Sequence, residues 1–366
     1  IRFEEQWTSA RICTFLDETG IPYKTGYAKG TGIVAEIAGS GTRTVGLRSD
    51  IDALEIHEQT GLPYASEIPG RMHACGHDGH MAALCGAAGI LKSLGEALPG
   101  TVRLIFQPAE EQAAGGRFMV ADGAVDGLDA VFALHGWPTL PIGQIGVRSG
   151  PAMAGADFFR ITVEGHGCHA ADPGAGVDPI VVASHIVTSL QSIVSRETNP
   201  WDSVVVTVAR IEAGHASNVI PERALIEGTF RTLRESARLK VREAIARIAE
   251  NVAQAHRAHA HVELDAEAAY PALHNDPDAS EFVKETVRRR FGTDRLYEPP
   301  FPTMASEDFA FYLQKVPGTF SFLGCNPNPA EPYPALHSPR FDFPDAALPY
   351  AIKLHTCVAL DFLSSG

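Results

Sequence analysis

The chain is expected to fold as an α/β protein with a mostly parallel sheet and helices on both faces, interrupted by an inserted βαββαβ domain. Three observations lead there. Strand-like and helix-like stretches alternate over residues 1–150 and return after Pro271. Between them, elements in the order βαββαβ span about 110 residues, the pattern of a ferredoxin-like module. A chain of 366 residues also exceeds what one core ordinarily organises.

Each element has its own signal. Ala10 to Gly20 reads as part of an amphipathic helix stopped by glycine. Gly32-Ile-Val-Ala-Glu-Ile and Thr44-Val-Gly-Leu-Arg-Ser-Asp read as strands, and His80 to Leu94 as a helix that Gly95 ends. Val102 to Gln107 is a strand closed by Pro108, and Ala130 to His135 is another. In the insert, the strand Phe158 to Val163 leads to a helix over Pro179 to Arg196. The strands Ser203 to Ile211 and Ala224 to Leu233 follow. A second helix carries Val241, Ile245, Ile248 and Val252 at helical spacing, and His261 to Leu264 closes the set. Afterwards come a helix over Ala279 to Arg290, a strand from Thr319 to Gly324, and a helix from Tyr350 to Leu363. The domain boundaries expected are 1–153 with 268–366 for the sheet domain and 154–267 for the insert. No internal repeat or low-complexity segment is visible.

Composition narrows the function classes. A net charge of −14 argues against a nucleic-acid surface or a basic membrane patch. No apolar run approaches the roughly 18–20 residues that cross a bilayer, and no signal peptide is visible. The first residue is Ile1, so a missing N-terminus is expected and an export signal ahead of it stays open. Six cysteines are scattered without CxxC spacing, which suits a reducing, cytoplasmic compartment.

The densest chemistry lies at Met72-His-Ala-Cys-Gly-His-Asp-Gly-His80. In an extended segment Cys75 and His77 share a face, and a thiolate with an imidazole makes a good pair of ligands for zinc or a similar divalent metal. The same residues also read as an inert cysteine with surface histidines near a turn. Glu110 and Glu111 follow a buried-looking strand and a proline, where open α/β sheets place ligand groups. His135 ends another strand, and Asp50 and Asp52 follow a third, where an aspartate also commonly caps a helix. His337 alone is an ordinary loop histidine. Together these thiol, imidazole and carboxylate groups suffice for two divalent metals about 3.5–4 Å apart, an arrangement that hydrolyses bonds.

Seven stretches, in order, resemble one family. They are Leu47-Arg-Ser-Asp-Ile-Asp-Ala-Leu, His73-Ala-Cys-Gly-His-Asp-Gly-His, Phe106-Gln-Pro-Ala-Glu-Glu, Leu134-His-Gly, Asn218-Val-Ile-Pro, Ser306-Glu-Asp-Phe and Leu336-His-Ser-Pro. The combination resembles the co-catalytic metallopeptidases of the aminoacylase and carboxypeptidase kind, and within them the amidohydrolase branch of hippurate and auxin–amino-acid conjugate hydrolases. The resemblance implies that Cys75, His77, Glu111, His135 and His337 bind two divalent ions, zinc or manganese first and cobalt or nickel next, with Cys75 bridging. It implies that Glu110 is the general base and that Asp52 and Asp78 orient metal-binding imidazoles, with His73 and His80 in support. It further implies that His169 steadies the oxyanion, that Asn218 and Arg231 hold the substrate carboxylate, and that the insert mediates a homodimer.

The implied reaction is hydrolysis of the amide bond of N-acyl or N-aroyl amino acids. A dipeptidase or carboxypeptidase on the same site is the alternative within enzymes. A silent amino-acid-binding protein is the alternative outside them, and Glu110 argues against it. Three departures stand out. Gly174 follows Pro173 where the family commonly has His, Ala213-Gly-His215 replaces the usual Gly-Gly-Thr, and the N-terminal His-x-x-Pro-Glu segment is absent. The first two put the substrate in doubt more than the chemistry.

Overall fold

The computed structural model describes residues 1–365, the side chains of 266–268 excepted. It divides into two compact units. The first comprises Ile1–Ala152, His274–Pro302 and the chain from Asp308 onward; the second comprises Met153–Leu273 and Thr303–Glu307. The second unit therefore runs a few residues past the expected 154–267. Its last long strand, His259–Tyr270, stays paired with its neighbour through Tyr270 opposite Ala156.

The first unit is built on an eight-stranded sheet. Its centre is four parallel strands in the spatial order Thr101–Gln107, Thr44–Asp50, Ala130–Pro141 and Gly318–Asn326. Antiparallel pairings begin on either side of that centre, so the sheet is mixed but largely parallel. Every residue of Gly318–Asn326 is buried, and so is almost all of Thr44–Asp50. Near-continuous burial is what a parallel strand covered on both faces requires. The core joins Val45, Leu47, Leu104 and Phe132 of the strands to Leu84, Ala88 and Leu91 of the helix His77–Ser93.

Two local expectations change. The Cys75–His77 stretch is not extended. Gly76 adopts φ +81°, its N–H donates to the His73 carbonyl oxygen at 3.1 Å, and His77 is the first residue of a helix that starts three residues earlier than expected. A glycine can take this left-handed turn without the steric penalty of a side chain, which lets a buried loop switch directly into a helix.

The second change concerns the apolar run. The segment Asp345–Ser364 is long and apolar enough to cross a membrane, by length and composition only. Within it, the helix Leu348–Ser364 buries Ala351, Leu354, Val358, Ala359 and Leu363 in the core of the first unit. It is a core helix.

The second unit holds a four-stranded antiparallel sheet in the order Val204–Ala213, Arg223–Thr232, Gly155–Glu164, His259–Tyr270. Helices Pro179–Ser192 and Glu235–Ala255 pack against it through Val182, Ile186, Leu190, Val241, Ile245 and Ile248. Asp178 caps the first helix by accepting from the Ile180 N–H, and Pro179 fits its first turn.

Leu84 is fully buried where the helix His77–Ser93 meets the sheet core. Leu84→Ala should cost the first unit about 2–5 kcal/mol, read as a lower urea midpoint at unchanged slope.

Candidate metal centre

Strand ends of the first unit bring the chemical groups together. Asp50 closes the strand Thr44–Asp50, and Asp52 lies just beyond it. Glu110 and Glu111 open a four-residue helix after the strand Thr101–Gln107. His135 sits within the strand Ala130–Pro141. Binding groups at the carboxyl ends of parallel strands follow from the α/β topology.

Three donors converge first: Cys75, His77 and His135 present ligand atoms within 4.8 Å of one another. Cys75 Sγ is 3.4 Å from His135 Nε2, while His135 Nδ1 donates to the Gly136 carbonyl oxygen at 2.8 Å. That hydrogen bond places the His135 lone pair on Nε2, toward the thiol. Cys75 also belongs to a second group with Glu111 and His337, where His337 Nε2 is 3.1 Å from Glu111 Oε1. A third group joins His77, Glu110 and Glu111.

The orientation of His77 is set by Asp52. Its Nδ1 lies 3.1 Å from Asp52 Oδ1, and the other oxygen of Asp52 accepts the Glu111 backbone N–H at 3.0 Å. One carboxylate thus ties two candidate ligands together. His77 Nε2, buried, makes no hydrogen bond. It stands 3.7 Å from Asp50 Oδ2 and 3.9 Å from Glu111 Oε1, and a buried nitrogen with no hydrogen bond that faces carboxylates, a thiol and an imidazole fits a metal ligand. Asp78 is exposed in the first turn of its helix, and the carboxylates that meet His77 and His80 are those of Asp52 and Asp50.

The electrostatics favour a cation. Burial opposes charge on His77, but Asp50, then Asp52 and Glu111, outweigh it and hold the imidazolium up to about 10. Burial, reinforced by Glu111 and Glu110, pushes the Cys75 thiol well up. For His135 burial dominates, with His80 adding to it, and the ring stays neutral down to about 3. Burial alone would raise Glu111, yet the hydrogen bond from His337 and the charge of His77 hold it below the usual carboxylate range.

Three non-glycine residues at the site occupy the left-handed region: Ala109 (φ +55°), Ala114 (φ +50°) and His337 (φ +65°). Each such conformation costs on the order of 1–3 kcal/mol and persists where surrounding contacts over-determine it. The first two bracket Glu110–Ala113, and His337 is held by its N–H to the Ala74 carbonyl oxygen at 2.8 Å.

Sequence reasoning assigned no role to Arg48, Gln107 and Asp308, although all three lie inside the quoted motifs. The fully buried Arg48 guanidinium pairs with Asp50 and Asp308, both at 2.9 Å. His80 Nδ1 is 2.7 Å from Asp50 Oδ1, and His80 Nε2 accepts the Gly136 N–H at 2.8 Å. The available signal was an arginine inside an otherwise buried strand, which requires a paired charge.

In the second unit, His169 and Asn218 line one open groove of about 1040 Å³ with His215 and Arg223. The Ala170 N–H donates to the Asn218 carbonyl oxygen at 3.0 Å, and Val219 pairs with His169. Arg231 is absent from the groove. It lies at the other end of the strand Arg223–Thr232, half-buried, beside the Phe158 ring and the Phe230 carbonyl oxygen. Asp157, whose charge reaches it, is paired with Arg238 and Arg242.

A buried carboxylate, thiol and imidazole cluster at the ends of parallel strands marks the first unit as a candidate hydrolytic metal centre. The family described as Peptidase family M20/M25/M40 matches residues 46–361. The chain belongs to that family and is a hydrolase. It is 44% identical over 322 residues to an N-acetyl-L-cysteine deacetylase of Bacillus subtilis, covering 88% of this chain and 76% of that protein. It is 39% identical over 363 residues to IAA-amino acid hydrolase ILR1-like 4 of Arabidopsis thaliana, covering 99% and 82%. Among solved structures, the YXEP protein of Bacillus subtilis, a dinuclear metal binding peptidase of the M20 family, superposes with a TM-score of 0.86 at 36% identity. That match covers 100% of this chain and 94% of the other.

Metal loading should release protons. At pH 7 the metal-free His77 is protonated, because its proton is held up to about 10, and a metal ligand must give that proton up. Affinity should therefore rise with pH and weaken as pH falls. The Cys75 thiol, which burial keeps protonated, must give up its proton as well. Calorimetric titration in buffers of different ionisation enthalpy should read at least two protons released per chain in wild type and one fewer in His77→Ala, and equal release from the two would contradict His77 as a ligand.

Proposed function

We propose that this chain hydrolyses the amide bond of N-acyl amino acids with two divalent ions held by Cys75, His77, Glu111, His135 and His337. The observation that carries the reading is Glu110. It is 7% exposed, lies next to Glu111, and its carboxylate is within 4.8 Å of both Glu111 and His77. That proximity supports its acting on a water held by those ligands. Relatives named for deacetylating N-acetylcysteine and for cleaving IAA–amino acid conjugates support an N-acyl amino acid as substrate.

Two ions bound there would acidify a water and polarise the amide carbonyl. Glu110 accepts the water's proton and returns it to the departing amine. Asp52 keeps the His77 ring oriented through both steps. Thiolate and imidazole favour zinc, while the carboxylates also suit manganese, cobalt or nickel. All six cysteines are free, which accords with a reducing, cytoplasmic compartment.

A homodimer belongs to the same reading. In one copy Arg231 is eight residues along a strand from Arg223, which lines the groove of His169 and Asn218. At about 3.3 Å per residue that separation exceeds the length of a small N-acyl amino acid. If Asn218 and Arg231 both hold the substrate carboxylate, they must come from different copies. The strand Val204–Ala213, at the sheet edge with Val205 and Ile211 exposed, offers a surface for a second copy.

Glu110→Gln should keep two metal ions per chain, by elemental analysis, and lower turnover of N-acetyl amino acids by at least 10²–10⁴-fold. Wild-type rates from that variant would sink the assignment. Separately, Asn218→Ala and Arg231→Ala chains, each inactive alone, should regain partial activity when refolded together, because a mixed dimer restores one site. No regain would place both residues at one copy's site or at none.

A further inference from the structure

The segment that carries Glu110 is stapled at both ends by one side chain. The Asp308 carboxylate accepts from Gln107 Nε2 at 2.8 Å on both oxygens, at the end of the strand Thr101–Gln107. Its Oδ2 also accepts the Gly116 N–H at 2.7 Å, just beyond the short helix Glu110–Ala113. Between these anchor points the chain passes through the left-handed residues Ala109 and Ala114, and the Gly115 N–H closes back on the Ala109 carbonyl oxygen at 3.0 Å. Gly116 permits the approach: a Cβ there would stand 2.8 Å from the Asp308 carbonyl oxygen and 3.1 Å from its carboxyl carbon. The backbone N–H of Asp308 points at Glu110 Oε1, 3.4 Å away.

Asp308 is itself braced. Arg48 Nη2 donates to its Oδ1 at 2.9 Å, and Arg48 Nε donates to Gln107 Oε1 at 2.9 Å. The third arm of the same guanidinium holds Asp50 at 2.9 Å. Both side chains of the Arg48–Asp308 pair are wholly buried. Their geometry is therefore set by one another and not by solvent, and a planar fork imposes direction as well as charge.

We propose that Asp308, braced by Arg48 and Gln107, is a positioning residue that fixes the Glu110 carboxylate for proton transfer. Its side chain bonds to Arg48, Gln107 and Gly116, none of them a candidate metal ligand. It acts by holding the two ends of the 107–116 segment and by presenting its amide to Glu110. The proposal rests on the reading of Glu110 as the base. An uncharged amide at position 308 has one acceptor oxygen and a donor where Gln107 also donates, so it cannot hold Arg48, Gln107 and Gly116 together.

The test compares metal-loaded wild type and Asp308→Asn by crystallography, metal analysis and kinetics on N-acetyl amino acids. The expected variant is folded, carries two metal ions, and leaves Cys75, His77 and His135 in place. Its Glu110 carboxylate should shift by about 1 Å or split between conformers, with kcat about 100-fold lower and KM within about threefold. A Glu110 that stays put overturns the proposal. So does a displaced Glu110 with unchanged kcat, or a loss of activity that only tracks lost metal. If Asp308→Asn does not fold, Arg48→Lys is read the same way, since it keeps the charge but lacks the fork. A wild type inactive on N-acyl amino acids sinks the functional reading instead, and the position of Glu110 in the variant still decides the clamp.

Discussion

Most of the first unit's design follows from burying carboxylates side by side. Asp50, Asp52, Glu110 and Asp308 are all buried, and Glu111 nearly so. Removing one ionised carboxylate from water carries a penalty of several kcal/mol unless it is paired and hydrogen-bonded. Arg48 answers for Asp50 and Asp308, and His77 and His80 share Asp50. The remaining negative charge faces His77 Nε2, and a dication there would replace the proton that the acids now hold on that ring. The same excess charge that favours the cation opposes folding without a counter-charge, so metal binding and stability are coupled.

That burden explains where the backbone is strained. Side chains can be aimed into so small a volume only if the chain doubles back tightly, and Ala109, Ala114 and His337 pay in left-handed conformations for doing so. Each is next to a donor group or bounds a segment that bears one. Each is also fastened by specific hydrogen bonds: the Gly115 N–H to Ala109, the Asp308 clamp around 107–116, and the His337 N–H to Ala74. Strain and clamp belong together, because without the second the first would relax.

Much of this was legible in the sequence. Strand ends mark Asp50, Asp52, Glu110 and Glu111, because parallel strands are long, apolar and buried on both faces, so a polar group directly after one is conspicuous. Cys75, His77, Glu111, His135 and His337 lie close together as the family resemblance implies. What the sequence hid was conformational and pairwise. The turn at Gly76 moved His77 from an extended stretch to a helix start, which single-residue spacing cannot reveal. The exposure of Asp78 and the use of Asp52 depend on which way a helix faces. The Arg48–Asp308 pair joins residues 260 positions apart, and no local pattern announces such a partner.

The departures from the family pattern are distributed unevenly: the substituted positions fall in the second unit and spare the candidate metal donors of the first. In the first unit the motifs that carry the candidate donors are intact. In the second, Ala213, Gly214 and His215 line the same groove as His169 and Asn218, and Gly174 sits in the short turn Pro173–Ala175 nearby in sequence. A donor set has little freedom, because ligand type, distance and tautomer are all constrained by the bound ion. A groove on an open surface is under no such constraint, so its side chains can change without disturbing the donor set. His215 adds a titratable donor and acceptor to that wall. The deacetylase and the conjugate hydrolase, both similar to this chain over most of its length, differ in substrate by name.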